Sequence, residues 1–391
     1  MRGNRALLAC STVAALAVTA STPAWAASQP CPIRHWGEFT GGKVNDMRLS
    51  PVTVPDPGSS PVVQVASSNS TEYALLADGT LWAWGLGTQG QLGNGTYKNS
   101  LRTPVQVKFP GNVSIASIPV NSMPFDTGLA VDTTGHVWGW GRNGGSDLCL
   151  GSSQTYARPA ELPFSNVTAL AGAANHTTYD ANGVLYSCGT NSAGVLGAGP
   201  GAPGDARTPV RVKNLSGSSV TTVVSSFENA GALLSNGTYY DWGRNAAGQL
   251  GDGSTQNSPV PVQVNVPGPV RQVAQGGSLT NNGQTLAMLA NGTLYGWGSN
   301  RFHQLAPNGP RAQLTPRQLS GPAGVTVKSV ATGGSTAYAL STAGKVYAWG
   351  QNNVGQVGDG TTANAPRPVQ VTSPASLISA TAKNVVVGCA G

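Results

Sequence analysis

Apolar residues in this chain fall in short runs of five or six, punctuated by Gly, Asn, Asp and Ser, and no stretch of useful length has helical spacing. The clearest runs pair into hairpins: YALLADGTLWAWG from Tyr73, ALLSNGTYYDWG from Ala232, AMLANGTLYGWG from Ala287 and YALSTAGKVYAWG from Tyr338. Asp78-Gly79, Asn182-Gly183, Asn236-Gly237 and Asn291-Gly292 lie at the hairpin tips, where such dipeptides predict type I′ turns. Another apolar run precedes each hairpin, as at Val62–Ala66, Val167–Ala171, Val220–Val224, Val270–Ala274 and Val325–Ala331. A Thr/Ser-Pro-Val stretch follows it, as at Thr103–Val107, Thr208–Val212 and Ser258–Val262, with a related run at Pro368–Val371. Each unit therefore predicts four short strands.

Between the third and fourth strands lies a Gly-rich segment that repeats. Its copies are WGLGTQGQLGNG at Trp84, CGTNSAGVLGAG at Cys188, WGRNAAGQLGDG at Trp242 and WGQNNVGQVGDG at Trp349, with looser versions at Trp36, Trp140 and Trp297. Successive starts are 48 to 56 residues apart. The 42 residues after Trp349 and the six from Cys31 to Trp36 together make one more interval. A period that closes on itself predicts a ring rather than an open solenoid. The expected fold is all-β: a seven-bladed β-propeller with four-stranded blades, one of them shared between the N- and C-termini. The W-G-x-N-x-x-G-Q-L-G segment resembles the regulator of chromosome condensation (RCC1-type) repeat family. That resemblance implies a seven-bladed propeller and a habit of binding proteins through loops, without implying one activity.

Residues 1–26 read as a leader. Arg2 and Arg5 precede an apolar segment from Ala6 to Ala20, and Ala24-Trp25-Ala26 is a small-x-small cleavage signal. The propeller would then occupy residues 27–391 of a protein exported from a bacterium by the Sec route. No later stretch is long and apolar enough to span a bilayer as a helix. Charged residues are only 9% of the chain, and the formal charge of +7, or +5 without Arg2 and Arg5, is scattered. A nucleic-acid partner is not expected.

Removal of the leader leaves Cys31, Cys149, Cys188 and Cys389, an even number suited to bridges in an exported chain. Aligned on the repeat, Cys389 falls opposite Ser341 and Cys31 opposite Gly344, across one hairpin turn. A Cys31–Cys389 bridge would thus fasten the split blade, worth about 5 kcal/mol on the chain-entropy account. Cys149 and Cys188 remain as a second pair between adjacent blades, or as two buried thiols. His35, His136, His176 and His303 fall in different repeats, so neither a metal nor a cofactor is expected. The tryptophans and the aromatics two residues before them should pack between blades. Asn143, Asn191, Asn245, Asn300 and Asn352 should bond their own loops.

Function is then sought where repeats break their rule. The Gly-rich loops and the first-to-second-strand loops share one rim. Met123, Phe125 and Asp126 lie in one irregular loop, and Phe227 and Glu228 in another. Arg301-Phe302-His303 replaces small residues in a third, and Tyr97 and Tyr156 follow two more. These ten are candidate contacts for an extracellular or cell-surface protein, bound by a monomer. Inhibition of a secreted enzyme such as a β-lactamase is a second reading. A polysaccharide-active lyase or hydrolase is a third, though the chain has 15 carboxylates with no repeat-breaking pair and no G-x-S-x-G nucleophile. Expression with its own leader in a Sec-competent bacterium should release a chain that begins at Ala27 by N-terminal sequencing. Retention of Met1 in the released protein would overturn the leader assignment.

Overall fold

The computed structural model describes residues 31–38, 47–120, 123–215, 218–278 and 283–390. The expected leader lies outside the described residues. The compact unit Pro32–Gly391 consists of seven four-stranded antiparallel sheets, each an up-and-down meander. Among the described residues the helical content is a single 3₁₀ turn, Ser192–Gly194.

Blade 1 contains Val62–Ser67, Thr71–Leu76, Leu81–Gly85 and Ser100–Gln106. Blade 2 contains Ile115–Ser117, Thr127–Asp132, His136–Gly141 and Tyr156–Ser165, and blade 3 contains Val167–Gly172, His176–Ala181, Val184–Thr190 and Asp205–Arg211. Blades 4, 5 and 6 begin at Val220–Ser226, Val270–Gly276 and Val327–Thr332. The seventh joins Leu377–Ala380 and Asn384–Gly388 to Arg34–Glu38 and Met47–Thr53, with Arg34 opposite Val387 and Trp36 opposite Val385. Both ends of the chain thus build one sheet, as the closing period requires.

Burial follows position in the blade. The second strands, such as Thr71–Leu76 and Gln284–Leu289, are buried at every residue because another blade covers each face. The fourth strands are edges. They carry exposed polar residues and prolines (Pro104, Pro159, Pro209, Pro259, Pro316), which discourage pairing with another chain.

The repeated motif has a physical reading at almost every letter. Gly85, after the tryptophan, has φ +120° and marks a register shift against the fourth strand. A Cβ there would lie 2.3 Å from the carbonyl oxygen of Ser70, so only glycine fits. The asparagine Oδ1 accepts the N–H five residues on: Leu148 to Asn143, Leu196 to Asn191, Leu250 to Asn245, Leu305 to Asn300 and Val357 to Asn352, all at 2.8 to 3.1 Å. The glutamine side chain accepts the N–H two residues before it, as Gln249 does from Ala247 at 2.7 Å. Its backbone carbonyl receives the indole N–H of the next blade: Trp140 to Gln91, Trp297 to Gln249, Trp349 to Gln304 and Trp36 to Gln356, at 2.8 to 2.9 Å. Each of these tryptophans is at most 4% exposed, while the aromatic two residues earlier is half-buried in five of six blades.

Two seams differ. In blade 3 the tryptophan is replaced by Cys188, which is bonded to Cys149 of blade 2 with their Cα atoms 5.6 Å apart. A covalent link stands there in place of the indole bond. Cys31 and Cys389 are each disulfide-bonded as well. At the seam of blades 7 and 1, the Trp84 indole lies 3.3 Å from Nδ1 of His35, which is 2.8 Å from the Glu72 carboxyl. Glu72 is fully buried, and burial pushes its pKa up against the opposing pull of His35.

The hairpin tips correct the turn expectation. Asn182 and Gly183 both have positive φ, as a type I′ turn needs. At Asp78-Gly79, Asn236-Gly237 and Asn291-Gly292 only the glycine does. There the loop has three residues: Gly79 N–H donates to Leu76 C=O and Leu76 N–H to Thr80 C=O, a type I turn closed by a left-handed glycine.

Replacing both Cys149 and Cys188 by Ser, across a separation of 39 residues, should lower stability by about 4 kcal/mol in denaturant unfolding. An unchanged midpoint would remove the bridge from the account of this seam. Asp147, beside the bridge, occupies the glutamine position of its loop, and burial pushes its pKa up to about 7. A pKa raised on folding adds stability that is lost as pH climbs from about 4 through 7. Asp147→Asn should therefore gain in melting temperature relative to the parent chain across that window, and a constant difference would refute the assignment.

Candidate functional site

The first strands of the blades run side by side around the axis, and their C-terminal ends open on the rim of the Gly-rich loops. Ser67, Gly172, Ser226, Gly276, Thr332 and Ala380 mark those ends and line a narrow well. Blade 2 departs from the pattern. Its first strand stops at Ser117, and the chain returns to the well with Met123 and Phe125.

That return is pinned on both sides. Ser68 Oγ donates to the Pro124 carbonyl at 2.7 Å and accepts from the Asp126 N–H at 2.9 Å, while Ser70 Oγ donates to the Asp126 carboxylate. Towards blade 3, the Phe125 N–H donates to Ala173 C=O at 3.2 Å. Pro124 occupies the space where a Cβ on Gly172 would be, 2.2 Å away. Asp126 has φ +56°, a left-handed conformation uncommon outside glycine and held here by these bonds.

Phe227, from the first loop of blade 4, faces the same well. Phe125 and Phe227 are both half-buried and also line a wider cavity of about 520 Å³ at its mouth, with Asn69, Val354, Gln356, Glu38 and Lys383. Glu38 is buried, and the half-buried Lys383 ammonium lies 3.1 Å from it. Beside Phe227, Glu228 pairs with Arg244 and accepts from Ser192 Oγ. Burial alone would raise the Glu228 pKa, but the Ser192 hydroxyl and the Arg244 guanidinium hold it below the usual range. The mouth is thus an apolar centre with a polar surround whose charges are already paired.

The ten candidate residues separate into two groups. Met123, Phe125 and Phe227 meet at the axis, with Asp126 and Glu228 next to them. Met123 is the floor, 6% exposed, with its Sδ accepting the Leu129 N–H. Arg301, Phe302 and His303 lie apart in the loop of blade 5, where the Arg301 guanidinium stands over the Phe302 ring at 5.6 Å. Tyr97 is 54% exposed in the loop of blade 1, and Tyr156 begins the fourth strand of blade 2 with its hydroxyl 3.2 Å from Ser152 Oγ. None of these five lines the axial cavities. Asn69, Val354 and the Glu38–Lys383 pair had no signal in the sequence, since Glu38 and Lys383 are 345 residues apart and meet only because the blade is split.

Asp241, Tyr239 and His176 are buried ionisable groups that do not line these two cavities. Asp241 is fully buried with Tyr239 and Gln275, and burial raises its pKa. His176 is pushed down to about 4 by burial. Among the described residues no group of His, Cys, Asp and Glu is arranged to hold a metal ion.

The regulator of chromosome condensation (RCC1) repeat is matched by residues 78–120, 182–227, 236–280, 291–340 and 343–390. The human E3 ubiquitin-protein ligase HERC2 is 30% identical over 355 residues, which is 86% of this chain but 7% of the ligase. The ultraviolet-B receptor UVR8 of Arabidopsis thaliana is 27% identical over 86% of this chain and 77% of its own length. Among solved structures, Prp20p of Saccharomyces cerevisiae superposes with a TM-score of 0.78 at 21% identity, over 93% of this chain and 92% of that one. Human WBSCR16 superposes at 0.77 and 19% identity, over 93% and 100%. These two structures share the fold. With five repeat matches spread from residue 78 to residue 390, and a ring of seven blades built on that motif, the chain belongs to the regulator of chromosome condensation repeat family.

Proposed function

We propose that this protein is an exported, non-catalytic propeller that binds another protein at the rim of its Gly-rich loops, with Phe125 and Phe227 as the central anchors. The observation behind this is their convergence. Two aromatic side chains from the irregular loops of two different blades line one cavity, half-buried, at a well to which all seven blades contribute. Regular repeats would place small residues there. Aromatic anchors at the centre of a face, ringed by polar groups that exclude water, are the pattern of energetic hot spots.

Fold relatives support a binding role. Prp20p is described by its binding to Gsp1p and histones. Among the described residues Glu38 is the carboxylate that lines the wider cavity, and it is paired with Lys383. A partner outside the cell accords with four half-cystine positions and the leader-like first 26 residues. Inhibition of a secreted enzyme is the special case in which the partner's active site receives these anchors. The peripheral candidates, Arg301–His303, Tyr97 and Tyr156, would then contact it only if its footprint reached the outer loops.

The test uses the partner recovered by the purified protein from culture supernatant and then prepared separately. Phe125→Ala with Phe227→Ala should weaken its binding about thirtyfold or more, the effect of losing a hot spot. The melting temperature should fall by only a few degrees, since both rings are half-exposed. Unchanged affinity for the double variant would move the site off the mouth.

A further inference from the structure

Folding sorts the charges of this chain. Of the 14 carboxylate residues described, six are buried: Glu38, Glu72, Asp132, Asp147, Asp180 and Asp241. None of the 19 described Lys and Arg residues is. Among the described residues the accessible charge is therefore more positive than their formal balance conveys.

The fourth strands concentrate part of that surplus. In blades 1, 2 and 6 this strand meets the Trp-Gly glycine at Ser100, Tyr156 and Ala365, and an arginine follows two residues later: Arg102, Arg158 and Arg367. In blade 3 Arg207 follows one residue after Ala206, and in the split blade Arg48 itself stands opposite Gly37. Around the ring these are blades 6, 7, 1, 2 and 3, five in succession. Blade 4 interrupts the series with Ser258-Pro259-Val260. Arg102, Arg158, Arg207 and Arg367 are exposed, and Arg48 is half-buried.

The backbone holds these arginines in place, and three of the exposed ones have no ion pair among the described residues. Each lies on or beside the bulge where the fourth strand slips register. Arg158 and Arg367 directly adjoin a proline that restricts the backbone, and Arg102 and Arg207 stand two residues before one. In blades 2, 3 and 7 the loop glycine of the preceding blade fastens the bulge: Gly95 N–H donates to Ala157 C=O and Gly360 N–H to Leu49 C=O, each at 2.8 Å, and Gly151 N–H to Arg207 C=O at 3.0 Å. Arg207 pairs with Asp205, both well exposed, whereas Arg102, Arg158 and Arg367 make no ion pair among the described residues. Prolines and bulges already guard these edges against strand pairing, so that duty does not account for the arginines.

We propose that this arc binds a linear anionic polysaccharide laid along the outer edge of the ring, a surface separate from the mouth. The guanidinium fork suits sulfate or carboxylate groups. One exposed ion pair changes an equilibrium only a fewfold, so a single sugar acid would not be retained; a chain engaging several blades gains by multivalency. The surface is convex and spans five of seven blades. A stiff DNA duplex cannot follow such a curve without a large bending cost, and a folded protein cannot touch it throughout. A flexible glycan can.

Heparin and polygalacturonate serve as sulfated and carboxylated probes of the whole protein. In about 0.1 M salt the triple variant R102Q, R158Q and R367Q should bind the preferred probe about tenfold more weakly. The control R271Q, K328Q and K345Q removes equal charge from blades 5 and 6 on the face opposite the Gly-rich rim, and should lose less than about threefold. Affinity should also rise with heparin length. Equal losses in the two triple variants, no dependence on length, or duplex DNA bound as tightly through the same arginines would each overturn the proposal. The lysine triple R102K, R158K and R367K guards against a folding defect: with melting unchanged, it should retain most of the binding that the glutamine triple loses.

Discussion

The ring depends on the seam between blades, and the seam on an indole. Burying a tryptophan side chain between two sheets removes roughly 150–250 Å² from water, worth about 4–6 kcal/mol. The hydrogen bond from its N–H to the carbonyl at the end of the neighbouring loop adds only about 1 kcal/mol net. Burial therefore supplies the adhesion, and the bond fixes the register. That carbonyl is in place because the loop's own Asn and Gln side chains satisfy the N–H groups around it. Trp, Asn and Gln thus act as one unit spanning two blades, which explains why they recur together.

Where the unit fails, something else holds the seam. Cys188 has no indole, and a disulfide to Cys149 takes its place. Trp84 faces the split blade and meets His35, whose Nδ1 also lies 2.8 Å from the Glu72 carboxyl, a buried polar pair in place of the carbonyl acceptor of the other seams. The split blade is itself closed by antiparallel pairing of Arg34–Gly37 with Asn384–Val387. Closing it joins ends more than 300 residues apart, so each of its contacts must offset a large loop entropy.

A ring built from equal seams leaves its loops free to vary. The second blade uses that freedom most: its inner strand is cut to Ile115–Ser117, and the released chain carries Phe125 to the axis. The outer edge varies in another way, since arginines there cost the core nothing. Axis and edge offer different chemistry, apolar at one and cationic at the other.

The blade count, the four strands per unit, the sharing of one blade and the roles of Trp and Asn are all legible in the sequence, because each follows from a local pattern repeated at a fixed period. Phe125 and Phe227 were legible as departures from it. Local geometry misled at Asp78-Gly79, where dipeptide preference indicates a type I′ turn and the strand twist is met by a three-residue loop. What only the tertiary structure decided is convergence: that Phe125 and Phe227 share a well while Phe302 and Tyr97 do not, that Glu38 meets Lys383, and that arginines spaced about fifty residues apart line one edge. Periodicity specifies which strand a residue occupies. Its distance from the axis, and the residues facing it from other blades, exist only once the ring has closed.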